Sequence, residues 1–128
     1  MAVHTAPAKD FRELIVWQKA HDFVLGVYAV TRQFPPEERF CLTSQIRRSA
    51  VSVPANIAEG FRRKSSSEKI RFLNIAEASL EETRYYLILA VDLQYAPTAH
   101  LQQQAETVQK LLYSYSSAIL RSLQNTER

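Results

Sequence analysis

Three short interruptions divide this chain into four long segments of helical periodicity, and that rhythm constrains its fold more than any other feature. Phe34-Pro35-Pro36, Ser65-Ser66-Ser67-Glu68 and Tyr95-Ala96-Pro97-Thr98 are the interruptions. Two successive prolines cannot donate the amide bonds a continuing helix needs. Ser65 with Glu68 has the spacing of a capping box, in which two side chains satisfy orphan amides of the first turn. Thr98 suits an N-cap.

Between them, apolar residues recur at spacings of three and four. The first helix is expected over about 10–33, with Phe11, Leu14, Ile15, Val24, Val27 and Tyr28 turned inward. The second begins near Pro36 to Glu38, where proline and acids suit a helix N-terminus, and reaches about Arg63 with a stripe of Leu42, Ile46, Val53, Ile57 and Phe61. The third runs from Ser65 to about Gln94. The fourth, Ala99 to about Gln124, buries Leu101, Ala105, Val108, Leu112, Tyr115 and Ile119. Helices of about 23 to 27 residues are roughly 35 to 40 Å long at 1.5 Å per residue. Joined by short loops, they predict an all-α, antiparallel up-down four-helix bundle over 10–124, with flexible tails at 1–9 and 125–128. Only two glycines, Gly26 and Gly60, occur, which argues against a turn-rich β fold.

The second helix is unusual. Pro54 removes the amide that would bond the Ala50 carbonyl and presses on it, at about 3 kcal/mol in a helix interior. Small residues surround it (Ser49, Ala50, Ser52, Ala55, Ala58, Gly60) and let a neighbour approach closely. A helix kinked near Pro54 is expected; a helix that breaks and restarts there is the alternative. Asn56 and Glu59 lie on or beside its polar side, either as a polar hub at an interface engaging Arg47 or Arg48, or with Glu59 in a simple intrahelical pair with Arg62 or Arg63.

Two runs, Val24 to Val30 and Tyr85 to Val91, are apolar almost all round. Seven residues cover the whole circumference of a helix, so part of that surface must face outward. Contiguous outward apolar surface marks an interface, and self-association is expected; a wide core seam is the alternative.

Charge is unevenly spread. The net charge is +3, yet 47–71 holds seven basic and two acidic residues, leaving the rest acidic by two. Arg47, Arg48, Arg62, Arg63, Lys64, Lys69 and Arg71 are therefore candidate nucleic-acid-binding residues, acting on phosphates without sequence preference. Basic residues at a helix C-terminus can equally just complement its dipole.

Catalytic chemistry finds little support. Di-iron bundles need Glu-x-x-His pairs, and none of His4, His21 or His100 follows a Glu by three residues. Glu77, Glu81 and Glu82 have the pattern of a solvated face, with Glu81 paired to Arg84. Cys41, flanked by Phe40 and Leu42, is expected to be a small core residue, and His21 a core or interface residue. No glycine-rich phosphate loop exists. We expect no enzyme activity, no catalytic or metal site and no cofactor. One cysteine, no apolar leader and no run long enough to span a bilayer point to a cytoplasmic protein without membrane attachment.

Four stretches carry a family resemblance: Phe11-Arg-Glu-Leu-Ile-Val-Trp17, Phe34-Pro-Pro-Glu37, Gln45-Ile-Arg-Arg-Ser-Ala-Val-Ser-Val-Pro-Ala-Asn-Ile-Ala-Glu-Gly60 and Ala76-Glu-Ala-Ser-Leu-Glu-Glu82. Over roughly 10–124 the chain resembles the bacterial four-helix bundle family named after proteins encoded by intervening sequences in large-subunit ribosomal RNA genes. Asn56-Ile57-Ala58-Glu59-Gly60 is the most specific part; Ala78 stands where many relatives carry glycine. The resemblance implies a homo-oligomer, a pentameric ring of bundles with a basic surface. It also brings in a relative, the accessory protein of diversity-generating retroelements, which binds nucleic acid and a reverse transcriptase. The partners it implies are thus other copies of the chain, RNA or DNA, and a nucleic-acid-processing protein such as a reverse transcriptase. Pro54, Asn56, Glu59 and Gly60 become structural or interface residues. The alternative is a structural or protein-interaction scaffold that binds no nucleic acid.

Overall fold

Asp10 accepts the Arg12 amide at 2.9 Å, which closes a 3-10 turn over Phe11–Glu13. Leu14 then adopts an extended conformation (φ −74°, ψ 126°), so the first helix, α1, spans Ile15–Thr31 rather than starting near Asp10. A second 3-10 turn, Pro36–Glu38, follows the prolines. The second helix, α2, covers Leu42–Arg62, beginning later than the proline-acid signal suggests because Pro36–Glu38 forms its own turn. Helix α3 is Ser66–Asp92 and α4 is Ala99–Glu127. The structure, a computed structural model, describes residues 7–127, with side chains as far as Leu123. The tails expected from the sequence fall at 1–6 and 128 outside the described residues, while α4 continues past the expected bound near Gln124.

The punctuation works through specific bonds. Ser65 Oγ accepts the Glu68 amide at 3.2 Å, which is one half of the capping box. The Glu68 carboxylate turns instead to Arg71 Nε at 3.2 Å. Helix α3 stops at Asp92 because Gln94 takes a left-handed conformation (φ 61°) and the Tyr95 amide reaches back to the Ala90 carbonyl at 2.9 Å. That is the six-to-one bond of a Schellman end. Thr98 Oγ1 donates to the Leu87 carbonyl at 2.9 Å and accepts Gln102 Nε2 at 2.8 Å, tying the start of α4 to α3.

Each helix packs on two neighbours: α1 on α2 and α4, and α3 on α2 and α4. This is the antiparallel four-helix bundle, with no strand among the described residues. The core holds Phe23 and Val27 from α1, Ile46, Val53 and Ile57 from α2, Leu73, Leu80 and Leu87 from α3, and Val108 and Leu112 from α4. Burying each such side chain is worth about 1.5–3 kcal/mol. Pro54 is buried within α2, which continues through it as one element, so the break-and-restart alternative does not hold.

Helices α2 and α3 meet along small residues. Ser49 Oγ lies 2.7 Å from Thr83 Oγ1, and Ser79 Oγ donates to Ser52 Oγ at 2.8 Å. A Cβ on Gly60 would stand 3.2 Å from Phe72 Cβ, so glycine here permits the close approach.

Three expectations about burial need correction. Cys41 is exposed, because it precedes the first turn of α2 and Leu42 takes the core position. Its neighbour Phe40 is 83% exposed. Ile15 and Tyr28 also face outward, since α1 turns Val16, Ala20, Phe23 and Val27 to the core instead. Of the two readings for His21, core or interface, the core one does not hold, since the ring is exposed on α1 and stacked on Trp17.

Candidate nucleic-acid interface

The sequence from Arg62 to Arg71 folds into the turn between α2 and α3. Arg63 caps α2 in an extended conformation (φ −69°, ψ 148°), and Ser65 at once starts α3. The tight turn gathers Arg62, Arg63, Lys64, Lys69 and Arg71 at one end of the bundle. They do not behave alike.

Lys69 folds back and donates from Nζ to the Phe61 carbonyl at 2.8 Å and the Gly60 carbonyl at 3.4 Å. It closes the C-terminus of α2, and burial lowers its pKa from the ordinary lysine value. Arg63 and Arg71 both lie against the Phe72 ring, at 4.5 and 4.7 Å from its centroid. Arg63 also faces Glu59 at 3.8 Å, the intrahelical pair offered as one of the two possibilities for Glu59. Arg62 and Lys64 are exposed and have no ion pair or hydrogen bond among the described residues.

Arg47 and Arg48 lie elsewhere, about 22 Å back along α2 at 1.5 Å per residue. Arg47 reaches toward α1, donating from Nε to Thr31 Oγ1 at 2.8 Å with its guanidinium 4.6 Å from the centre of the Tyr28 ring. Arg48 reaches toward α3, where it pairs with Glu82 and bonds Gln45. Tyr86 donates to the same Glu82 carboxylate at 2.6 Å, and that anionic partner raises the tyrosine's pKa. The seven candidate residues thus form a five-residue cluster and two separate arginines on opposite flanks of α2.

Asn56 does not meet Arg47 or Arg48. Its amide donates to the Ser52 carbonyl at 2.8 Å and to Ser52 Oγ at 2.9 Å, extending the polar seam between α2 and α3. Gly60 and Pro54 are buried in packing contacts. Glu81 pairs with Arg84 at 2.9 Å, as the spacing suggests, and no group of metal-binding side chains exists among the described residues.

A groove of about 540 Å³ beside the cluster was not legible in the sequence. Lys9, Asp10 and Phe11 form one wall and Ala58, Glu59, Phe61, Arg62 and Arg63 the other. Its walls are some fifty residues apart in the chain, and no local pattern joins them. The Arg12 side chain, by hydrogen bonding to Asp10, holds the carboxyl of that wall residue below the usual carboxylate range.

The two all-apolar runs do leave side chains outside: Leu25 at 56% exposure on α1, and Tyr85 and Ile88 at 58% and 49% on α3. No helix among the described residues is long and apolar enough to cross a membrane.

This fold is shared by a solved structure, a protein of unknown function from the S23 ribosomal protein family of Bacteroides thetaiotaomicron. It superposes with a TM-score of 0.74 at 28% identity, covering 80% of this chain and 98% of that one. None of the curated proteins compared matches the chain. Residues 12–114, which include α1, α2, α3 and the first half of α4, match the family described as 23S rRNA-intervening sequence protein. The chain belongs to that family.

Proposed function

We propose that this protein is a non-enzymatic, cytoplasmic homo-oligomer, a pentameric ring of bundles, that holds RNA or DNA through the cationic end formed at the α2–α3 turn. The observation that carries this reading is the pair Arg62 and Lys64, exposed and without partners in the described structure, beside the partly compensated Arg63 and Arg71. Several copies presenting the same end would act on one polyanion together, and linked contacts raise affinity without any new chemistry. A nucleic-acid-processing protein such as a reverse transcriptase is the partner such an assembly would serve.

Binding of a structured RNA at two salt concentrations tests it. A steep loss of affinity with salt that flattens in the Arg62→Ala, Lys64→Ala double variant supports the proposal. Absence of binding even at low salt overturns it.

A second reading is favoured by the contacts of Arg47, Arg48, Arg63, Lys69 and Arg71, each of which meets a partner within the chain. On that reading the protein is an interaction scaffold whose outward apolar side chains meet other copies or another protein. Unchanged RNA retention in the double variant, together with a stable oligomer, would favour it.

A further inference from the structure

Aromatic side chains run along one edge of α1, where Trp17 packs half-buried against the core while His21 and Tyr28 face outward beyond it. Trp17, His21 and Tyr28 fall within about 40° of one another at 100° per residue. The contact of Tyr28 with Arg47 fixes that stripe on the side facing α2. Trp17 and His21 stack in parallel, ring centroids 5.0 Å apart and planes 6° from each other. Phe11 meets Trp17 edge-on at 5.1 Å and continues the line into the groove that Arg62 borders. His21 is exposed, Tyr28 is 36% exposed, and neither belongs to the hydrophobic core.

Cations mark both ends of this strip. Arg62 stands at the groove and Arg47 at Tyr28, with Trp17 to Tyr28 spanning about 17 Å at 1.5 Å per residue. Two acids near the groove already have partners, Asp10 in Arg12 and Glu59 in Arg63. The arrangement joins Arg47 to the cluster at the turn, from which the bare arginine positions had separated it.

We infer that the α1–α2 edge binds a single strand of nucleic acid, with bases stacked on the exposed rings of His21 and Tyr28, Trp17 lying beneath His21, and phosphates held by Arg47 and Arg62. The proposal rests on the nucleic-acid reading and narrows it to one kind of ligand. Single strands offer free base faces to aromatic rings along a cationic track, whereas the bases of a duplex are stacked on each other. At roughly 3.4 Å of strand per nucleotide the strip takes about five nucleotides.

Trp17 is the sole tryptophan, so its emission reports on the strip directly. The full chain is titrated at low salt with oligothymidylate or oligouridylate of about 20 nucleotides, longer than common single-strand site sizes, and with a hairpin duplex. The single strands quench Trp17 and bind more tightly than the duplex. Tyr28→Leu and His21→Ala each weaken them about tenfold, while Tyr28→Phe, which keeps the ring, binds like the parent. Duplex binding equal to single-strand binding and indifferent to Tyr28→Leu overturns the inference; if it still depends on Arg62 and Lys64, the cationic-end reading survives alone. Failure of every ligand to bind overturns both. A changed oligomer mass in His21→Ala with unchanged binding assigns the edge to contacts between copies and likewise overturns it.

Discussion

Lys69 Nζ donates to the carbonyl of Phe61 at 2.8 Å, across the turn that joins α2 to α3. A residue that the charge pattern offers to a phosphate is thereby spent on the end of a helix. The last carbonyls of α2 lack intrahelical partners, and a cation placed there satisfies them and complements the dipole.

Lys69→Met keeps the aliphatic stem and removes the cap. It lowers stability by about 1.5–3 kcal/mol, the range for a hydrogen bond to a charged group, as read by urea denaturation. If Lys69 were chiefly a nucleic-acid ligand, stability would be unchanged and binding would fall instead.

Gly60 sets the spacing of α2 and α3. Replacing glycine by alanine inside a helix ordinarily gains up to about 1 kcal/mol. Here the new Cβ would meet Phe72 Cβ at 3.2 Å and the Lys69 carbonyl at 3.4 Å, both rigid parts of α3. Gly60→Ala therefore loses about 1 kcal/mol net, at the low end for overpacking. At Gly26 the nearest atom is the tip of the Leu101 side chain, which can rotate away, so Gly26→Ala is better tolerated when the two variants are compared by thermal melting.

Gln94 pays for the end of α3 with its left-handed backbone (φ 61°). A residue with a Cβ is strained there by about 1–2 kcal/mol, and glycine is not. Gln94→Gly is expected to raise stability by about 0.5–1 kcal/mol, whereas Gln94→Val lowers it. A melting temperature that falls in the glycine variant would show that the left-handed residue is not what ends the helix.

Glu38 accepts the Tyr95 hydroxyl at 2.6 Å and the Leu42 amide at 3.1 Å, so it joins the first turn of α2 to the α3–α4 connection. These bonds lower the Glu38 pKa, and the same carboxylate raises that of Tyr95. For Glu38 the folded value lies below the unfolded one. Its contribution is complete above the ordinary carboxylate range and is lost as pH falls through the folded value. For Tyr95 the folded value lies above the unfolded one, and its contribution is lost as pH rises through the folded value. Glu38→Gln should flatten both limbs of the melting temperature against pH; limbs unchanged in that variant would rule the pair out as their source.

Tyr85 and Ile88 face outward on α3, one turn apart, with Leu25 outward on α1. If they meet other copies, Ile88→Lys and Leu25→Glu shift the mass seen by light scattering towards the 14.7 kDa monomer without loss of helicity. A parent protein that already runs as a monomer defeats the oligomer proposal outright.

Local chemistry made most of the fold legible. Proline pairs, Ser65 and spacings of three and four act within one or two turns of chain, and they placed all four helices and most of the core. The misplacements lay where local signals competed: Asp10 caps a separate 3-10 turn rather than α1, and Cys41 sits before α2 rather than under it. The candidate site was less legible because charge in the sequence carries no information about partners. Among the described residues Arg62 and Lys64 have no partner, while Lys69, Arg63 and Arg71 are claimed by Phe61, Glu59, Glu68 and Phe72.

Periodicity alone thus determined that this chain builds a four-helix bundle, since each helix must bury its own stripe whatever its neighbours are. Which cations stay available, and that Phe11, Trp17, His21 and Tyr28 run beside Arg47 and Arg62, was decided only when α1 came to lie against α2. Contacts between residues far apart in the chain depend on how helices are rotated and spaced, and side chains as small as Ser49, Ser79 and Gly60 set that spacing.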